Sequence, residues 1–245
     1  MSNKAVVVIS GGLDSSTLAH HVKSQGWDLY GISFNYGQRH FKELEFADYQ
    51  MNKLKAKEHK VVDISAITHL FEASGSSLVT DGAIPEGHYA EDSMKATVVP
   101  NRNMIMGSIA AGYAISIGAD KLSLGVHAGD HFIYPDCRPG FFNYFTAAVL
   151  EGNEGFLSHA FHVDTPFINL SKNDIALKAY ELGVEIDYTW SCYKGNKKHC
   201  GKCGTCVERL EALHSVTEYY TDFEDPTEYA DSEFWKEAVK LEVTD

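Results

Sequence analysis

Basic residues are scarce in this chain. Its 245 residues hold 21 Lys and Arg against 34 Asp and Glu, a formal net charge of −13. Such a surface argues against direct nucleic-acid binding, which draws on a field of cations. It leaves room for a local basic pocket around a small anion. Apolar runs of membrane length are also missing, so no membrane partner is expected. The short apolar run at residues 4–9 leads straight into glycines and lacks a secretory pattern, which points to a cytoplasmic protein. There is no internal repeat and no low-complexity segment. Cysteine is sparse too, yet four of the five fall between 192 and 206. That crowding reads as a metal site before a disulfide.

One further absence is local. The stretch VVVISGGLDSS, residues 6–16, runs from an apolar strand through two glycines into a helix start, as a phosphate-binding loop does, but without the lysine of the common P-loop. The pattern still suits an anion. Backbone N–H groups converge at a helix N-terminus, the helix dipole adds positive charge, and glycines permit close approach. Ser10, Ser15, Ser16 and Thr17 add hydroxyl donors around Gly11, Gly12, Leu13 and Asp14. The missing side-chain charge must then come from elsewhere. Arg102 and Lys172 are the candidates, since each begins a predicted helix on the C-terminal side of a strand, where open α/β sheets bind ligands.

The apolar periodicity predicts strands at 4–10, 29–34, 59–65, 120–127 and 161–167. Helices are predicted at 15–25, 40–58, 102–118, from Pro139 onward, at 172–183 behind a Ser171 cap with Asp174 three residues on, and at 207–214. Residues 74–101 read as a long functional loop, and 129–138 as a shorter one. The alternation implies an open five-stranded, mostly parallel, Rossmann-like α/β sheet with helices on both faces. We divide the chain into a nucleotide-binding domain at 1–186, a four-cysteine zinc-binding region with its helix at 187–214, and an acidic tail at 215–245. The tail carries ten acids and two lysines, with aromatic residues that imply it packs against something.

Cys192, Cys200, Cys203 and Cys206 have the spacing C-x7-C-x2-C-x2-C. Four thiolates with no open position describe a structural zinc, ahead of an iron–sulfur cluster, a redox pair or free thiols. Binding would contribute on the order of 10 kcal/mol to local folding. Lys194, Lys197, Lys198 and Lys202 are placed to offset the thiolate charge, and His199 is not expected as a ligand.

The S-G-G-L-D-S loop resembles that of the ATP pyrophosphatase (PP-loop) superfamily, whose members release pyrophosphate and transfer AMP to a substrate oxygen. With FNYGQRH (34–40), VPNRN, YPDCR (134–138), TPFINLSKNDI and TWSCY…CGKCGTC in this order, residues 4–214 resemble the 7-cyano-7-deazaguanine synthase (QueC) family. The resemblance implies an adenine nucleotide alpha hydrolase-like fold and an ATP-dependent carbon–nitrogen ligase. Such an enzyme adenylates 7-carboxy-7-deazaguanine, lets ammonia displace AMP, adenylates the amide, and releases the nitrile. It implies ATP at Ser10 to Thr17, Mg²⁺ with ATP, structural zinc on the four cysteines, and a homodimer. Asp14, Ser15, Arg102 and Lys172 are the expected catalytic residues. Tyr36, Gln38, Arg39, Asp130, Tyr134, Asp136 and Arg138 are the expected substrate residues. For Asp136 an acid at a helix start is an equal alternative, and Cys137 is expected to be a packed thiol. The chain departs from the family's wording at Asn35, at Phe132-Ile133 and in the segment leading to VPNRN. A variant stopping at the 7-amido product and a tRNA-modifying sulfur transferase on the same scaffold are the alternatives. The second would need a reactive cysteine, for which Cys137 is the only candidate.

Overall fold

The computed structural model describes residues 3–38, 41–89 and 92–240. Five strands form one sheet: β1 (Lys4–Val8), β2 (Asp28–Asn35), β3 (Glu58–Asp63), β4 (Lys121–Ser123) and β5 (His162–Asp164). Their order is β3-β2-β1-β4-β5. All four pairings are parallel. Helices α1 (Leu13–Ser24), α2 (Glu43–Lys53), α3 (Arg102–Ser116), α4 (Pro139–Gly152) and α5 (Lys172–Glu181) accompany the strands, and α6 (Gly204–Val216) and α7 (Phe234–Lys240) follow.

The consecutive apolar residues of β1 are explained by burial on both faces. Val6 packs with Ile32, Leu122 and the α3 and α4 side chains Ala110 and Phe145. Ala5, Val7 and Ile9 point the other way, into Leu18 and Val22 of α1, Ala47 and Met51 of α2, and Ile175 of α5. The sheet order reverses between β1 and β4, so a crevice opens at their C-terminal ends. A third apolar cluster joins Leu13, Ala176 and Ala179 to Ile186, Ala212 and Val216, so packing is continuous across 186/187.

Local signals are legible at the helix ends. Ser171 and Asp174 form a reciprocal capping box on α5. Pro139 opens α4. Gly26, at φ 85°, ends α1. Other bounds differ from expectation, each for a reason. The helix expected over 40–58 is Glu43–Lys53, because Lys55 turns to φ 51° and releases the chain into β3 at Glu58. The fourth strand stops at Ser123 instead of 127, because after a last bond from Leu124 N to Asp164 O residues 125–127 leave the sheet and line the crevice. The fifth is three residues long, since the chain turns at Thr165–Ile168 and again at Phe167–Leu170. The long loop holds a 3-10 helix at Asp92–Thr97, and α6 starts earlier than expected, at Gly204. No helix among the described residues is long and apolar enough to cross a membrane.

The tail packs, as its aromatics implied. Backbone bonds join His199 to Glu228 and Ala230, and α7 lies against α6 through Trp235 and His214.

Candidate active site and metal centre

A cavity of about 250 Å³ opens in the crevice between β1 and β4. One wall is the glycine loop. Ser10, Gly12, Leu13, Asp14 and Ser15 line it. Gly12 is the N-cap of α1 and offers no side-chain acceptor, so the first-turn N–H groups keep their capacity for an anion. Ser15 Oγ braces the turn, accepting from Ser10 N at 3.1 Å and lying 3.1 Å from Ser10 Oγ. Gly11 has φ 84° and packs so closely on α2 that a Cβ would stand 2.1 Å from Glu43 O. Its carbonyl accepts from Trp190 N at 2.8 Å, which ties the loop to the cysteine segment. Thr17 Oγ1 is buried and donates to Leu13 O, and Ser16 Oγ is buried without a hydrogen-bond partner. Neither lines the cavity.

Asp14 is the hub of a buried ion cluster. Its Oδ2 accepts from Lys172 Nζ at 2.7 Å and lies 3.7 Å from His127 Nε2. Lys172 also reaches Glu208 Oε2 at 3.2 Å, and His127 Nε2 lies 3.6 Å from Asp130 Oδ2. Gly129 N donates to His127 Nδ1, so a neutral ring carries its proton on Nε2, facing both carboxylates. Burial opposes the charge on Asp14, but Lys172 and His127 outweigh it and hold the carboxyl below its usual range. Burial likewise opposes the charge on Lys172, and Asp14 and Glu208 reverse it, raising its pKa. Asp14 Oδ1 is buried with no hydrogen-bond partner, an anionic oxygen of the kind a hard cation takes.

Another part of the lining is aromatic. Tyr36, Tyr89, Tyr134 and Tyr193 form it with Arg102, Asn103 and Met106. Arg102 bonds to Tyr36 and lies 5.6 Å from the centre of the Tyr134 ring. Tyr134 Oη is 2.6 Å from Thr97 Oγ1, and Tyr89 Oη donates to Asp130 at 3.2 Å. Burial raises the pKa of Tyr36, Tyr89 and Tyr193, so all three remain neutral phenols.

Of the residues expected to meet substrate, Tyr36, Asp130 and Tyr134 line this cavity with Lys172 and Arg102. Gln38 stands behind it, accepting from Tyr36 N and donating to Phe34 O and Glu43 Oε1. Asp136 accepts from Asn103 N at 3.0 Å and so caps α3 from outside its own segment. Arg138 is exposed and donates from Nε to His131 O. Arg39 lies outside the described residues. Cys137 is buried at the cavity edge, takes a bond from Asn103 Nδ2, and has its thiol pKa pushed up by burial.

Sequence reading did not select Tyr89, His127, Trp190, Tyr193 or Glu208. The TWSCY wording contains two of these, and His127 ends the fourth predicted strand at the ligand edge. Tyr89 falls in the segment leading to VPNRN, and Glu208 carries no local signal. The departures at Asn35, Phe132 and Ile133 are not in the cavity wall. Asn35 instead joins β2 to β3 through Asp63.

Beside this cavity the four cysteines converge. Cys192, Cys200, Cys203 and Cys206 are fully buried or nearly so, with ligand atoms all within 4.8 Å of one another. Cys200 and Cys206 sulfurs are 3.9 Å apart, near the ~3.8 Å edge of a tetrahedron with zinc–sulfur bonds of about 2.3 Å. Cys200 N donates to Cys192 Sγ, and the N–H groups of Lys202 and Cys203 point to Cys200 Sγ. Buried, thiolate-only and backed by N–H donors, the set matches a structural zinc site. His199 is excluded from it: Nε2 accepts from Ser191 N, and burial lowers its pKa to about 3. Three of the flanking lysines pair with acids rather than standing free beside the thiolates: Lys194 with Glu86, Lys198 with Glu228 and Lys202 with Asp231. They fasten the long loop and the tail to the metal module.

The module reaches the cavity through α6. Cys203 is its N-cap, Cys206 lies in its first turn, and Glu208 and the fully buried Arg209 follow. Among the described residues, Arg209 bonds only to neutral oxygens, from Thr189, Ser191, Ile186 and Thr227. One side chain thus holds α6, the cysteine segment and the tail together.

The family model described as Queuosine biosynthesis protein QueC matches residues 4–217. The 7-cyano-7-deazaguanine synthase of Rhizobium johnstonii is 48% identical over 237 residues, 96% of this chain and 96% of that one. That of Ruegeria pomeroyi is 49% identical over 239 residues, 97% of this chain and 99% of the other. A solved structure of NMN synthetase from Francisella tularensis shares 15% identity with a TM-score of 0.49, over 92% of this chain and 80% of that one.

Proposed function

Because the chain belongs to the QueC family, we propose that the crevice between β1 and β4 is where it turns 7-carboxy-7-deazaguanine, ammonia and ATP into 7-cyano-7-deazaguanine. The activity is that of an ATP-dependent carbon–nitrogen ligase. A carboxylate oxygen, and later an amide oxygen, becomes a leaving group only once it carries AMP. Catalysis is therefore mostly positioning and charge stabilisation, and no nucleophilic side chain is needed.

The glycine loop, Ser10 to Thr17, takes the ATP phosphates on its first-turn N–H groups and the Ser10 and Ser15 hydroxyls. Lys172 supplies the fixed positive charge beside it, and its bonds to Asp14 and Glu208 keep the ammonium group in place. Asp14, whose Oδ1 has no hydrogen-bond partner, would hold the Mg²⁺ that accompanies ATP, and the ion would supply positive charge to the phosphates. In the same cavity, Tyr36 and Tyr134 flank the flat deazapurine. Asp130 accepts from its N1–H and 2-amino edge, as a carboxylate suits two adjacent donors. Gln38 and Asp136 act from behind, one holding Tyr36 and the other the first turn of α3.

The observation that carries this reading is the cavity itself. An uncapped glycine loop, the largely buried Lys172, a set of tyrosines and Arg102 line one cavity. Sulfur transfer is disfavoured, because Cys137 is buried with its pKa pushed up and is no ready thiolate. A homodimer and a cytoplasmic location belong to the same proposal. Incubation with ATP, 7-carboxy-7-deazaguanine and ammonium should give AMP, pyrophosphate and the nitrile. Accumulation of the amide would restrict the proposal to the first half-reaction, and ADP would refute it.

A further inference from the structure

We infer that the Arg102 guanidinium, framed by Tyr36, Tyr134 and Tyr193, is the seat of the substrate's carboxylate, and so decides that an anionic 7-substituent is accepted first. This rests on the reading of the cavity given above and assigns one of its walls.

The contrast between two arginines carries the argument. Arg209 is fully buried and saturates its fork on four neutral oxygens. Arg102 is half-buried, lines the cavity, and has no carboxylate at ion-pair distance among the described residues. It donates to the Tyr36 phenol oxygen and lies over the face of Tyr134. A guanidinium has five donors, so most of its capacity is unused among the described residues. The surrounding phenols stay neutral and leave its charge uncompensated. Behind it, Ile64, Ile67, Phe71 and Val99 line a small apolar pocket that keeps water from screening that side.

A planar fork with free donors at the mouth of an aromatic slot fits a planar carboxylate better than any other small anion. The phosphate side already has its cation in Lys172, locked to Asp14 and Glu208. Arg102 lines the same cavity from the first turn of α3, next to Asn103, whose N–H is held by Asp136. That bond fixes the first turn of α3 and with it the direction in which the arginine leaves the helix.

The test compares the two half-reactions in the full chain. R102Q and R102K are assayed for AMP release with 7-carboxy-7-deazaguanine and, separately, with 7-amido-7-deazaguanine, with the KM for ATP measured in each. R102Q should lower kcat/KM for the carboxylate about 100-fold, as loss of a charge-assisted bidentate pair implies, and for the neutral amide less than about tenfold. The KM for ATP should stay within about threefold, and R102K should recover part of the loss. An equal fall with both substrates, or a rise confined to the KM for ATP, overturns the assignment and returns Arg102 to the phosphates. Should R102Q fail to fold, R102K carries the same comparison. Failure of the underlying reading shows separately, as a wild-type protein that releases no AMP with either base.

Discussion

Lys172 and Asp14, 158 residues apart in the chain, meet at 2.7 Å at the edge of the cavity. The pair joins the first residue of α5 to the first turn of α1. It sets the cation that the glycine loop lacks in its own sequence. The K172M variant would leave Asp14 and Glu208 buried beside each other without compensation. It should lose about 3–5 kcal/mol of stability and at least about 100-fold in kcat. The double variant D14N/K172M should recover much of the stability and none of the turnover. Thermal melts and AMP release on the three proteins check this.

The same pair has a defined pH signature. Asp14 has its folded pKa lowered, so its contribution is present above the ordinary carboxyl value of about 3.9 and is lost as pH falls through the folded value. Lys172 has its pKa raised, so its contribution is present below about 10.4 and is lost as pH rises through the folded value. The share of the wild-type minus D14N stability difference that comes from the Asp14–Lys172 pair should therefore be flat from about pH 5.5 to 9, with any slope there coming from the neighbouring His127 and Glu208. Denaturant titrations across that range check it, and a slope would place the titration elsewhere in the cluster.

Gly11 and Gly26 both have positive φ, yet they differ in what surrounds them. A Cβ on Gly11 would meet backbone of α2 at 2.1 and 2.6 Å, whereas one on Gly26 meets nothing within 4 Å. G26A should cost about 1–2 kcal/mol, the left-handed penalty alone. G11A should cost more than that and abolish ATP-dependent AMP release, since the loop must move off Glu43 and Ala47.

Zinc, α6 and the tail form one unit. Chelation, or C203S, should release the metal and lower the melting temperature and the activity together, because Glu208 sits two residues beyond Cys206 on the same helix. Truncation after 216 removes Thr227 from Arg209 and Asp231 from Lys202. It should lower the melting temperature by several degrees, at about 2–4 °C per kcal/mol for a chain of this size. Metal content and melting curves of the truncated protein check whether zinc stays bound.

What could be read in advance follows from how local each signal is. The glycine turn, the Ser171–Asp174 box, the Pro139 start and the cysteine spacing are patterns a few residues long, and each stands where it was expected. Strand and helix ends were less legible. Departure of residues 125–127 from the sheet is decided by the crevice they line, and the stop at Lys55 by the approach of β3. The ion cluster was legible only in part. Asp14 and Lys172 announce themselves by position, but Glu208 enters through a helix that the metal module orients, and Tyr89 through a loop whose path depends on its contacts with Cys203 and Lys202. Asp136 shows the same limit, since the helix it caps is α3, more than thirty residues upstream of it.

The most direct measurement of the central claim follows the fate of nitrogen and nucleotide together. With ¹⁵N-ammonium, ATP and 7-carboxy-7-deazaguanine, the protein should yield labelled 7-cyano-7-deazaguanine, with one AMP and one pyrophosphate for each of the two activations. ADP as the nucleotide product, or AMP release without label entering the base, would contradict the account.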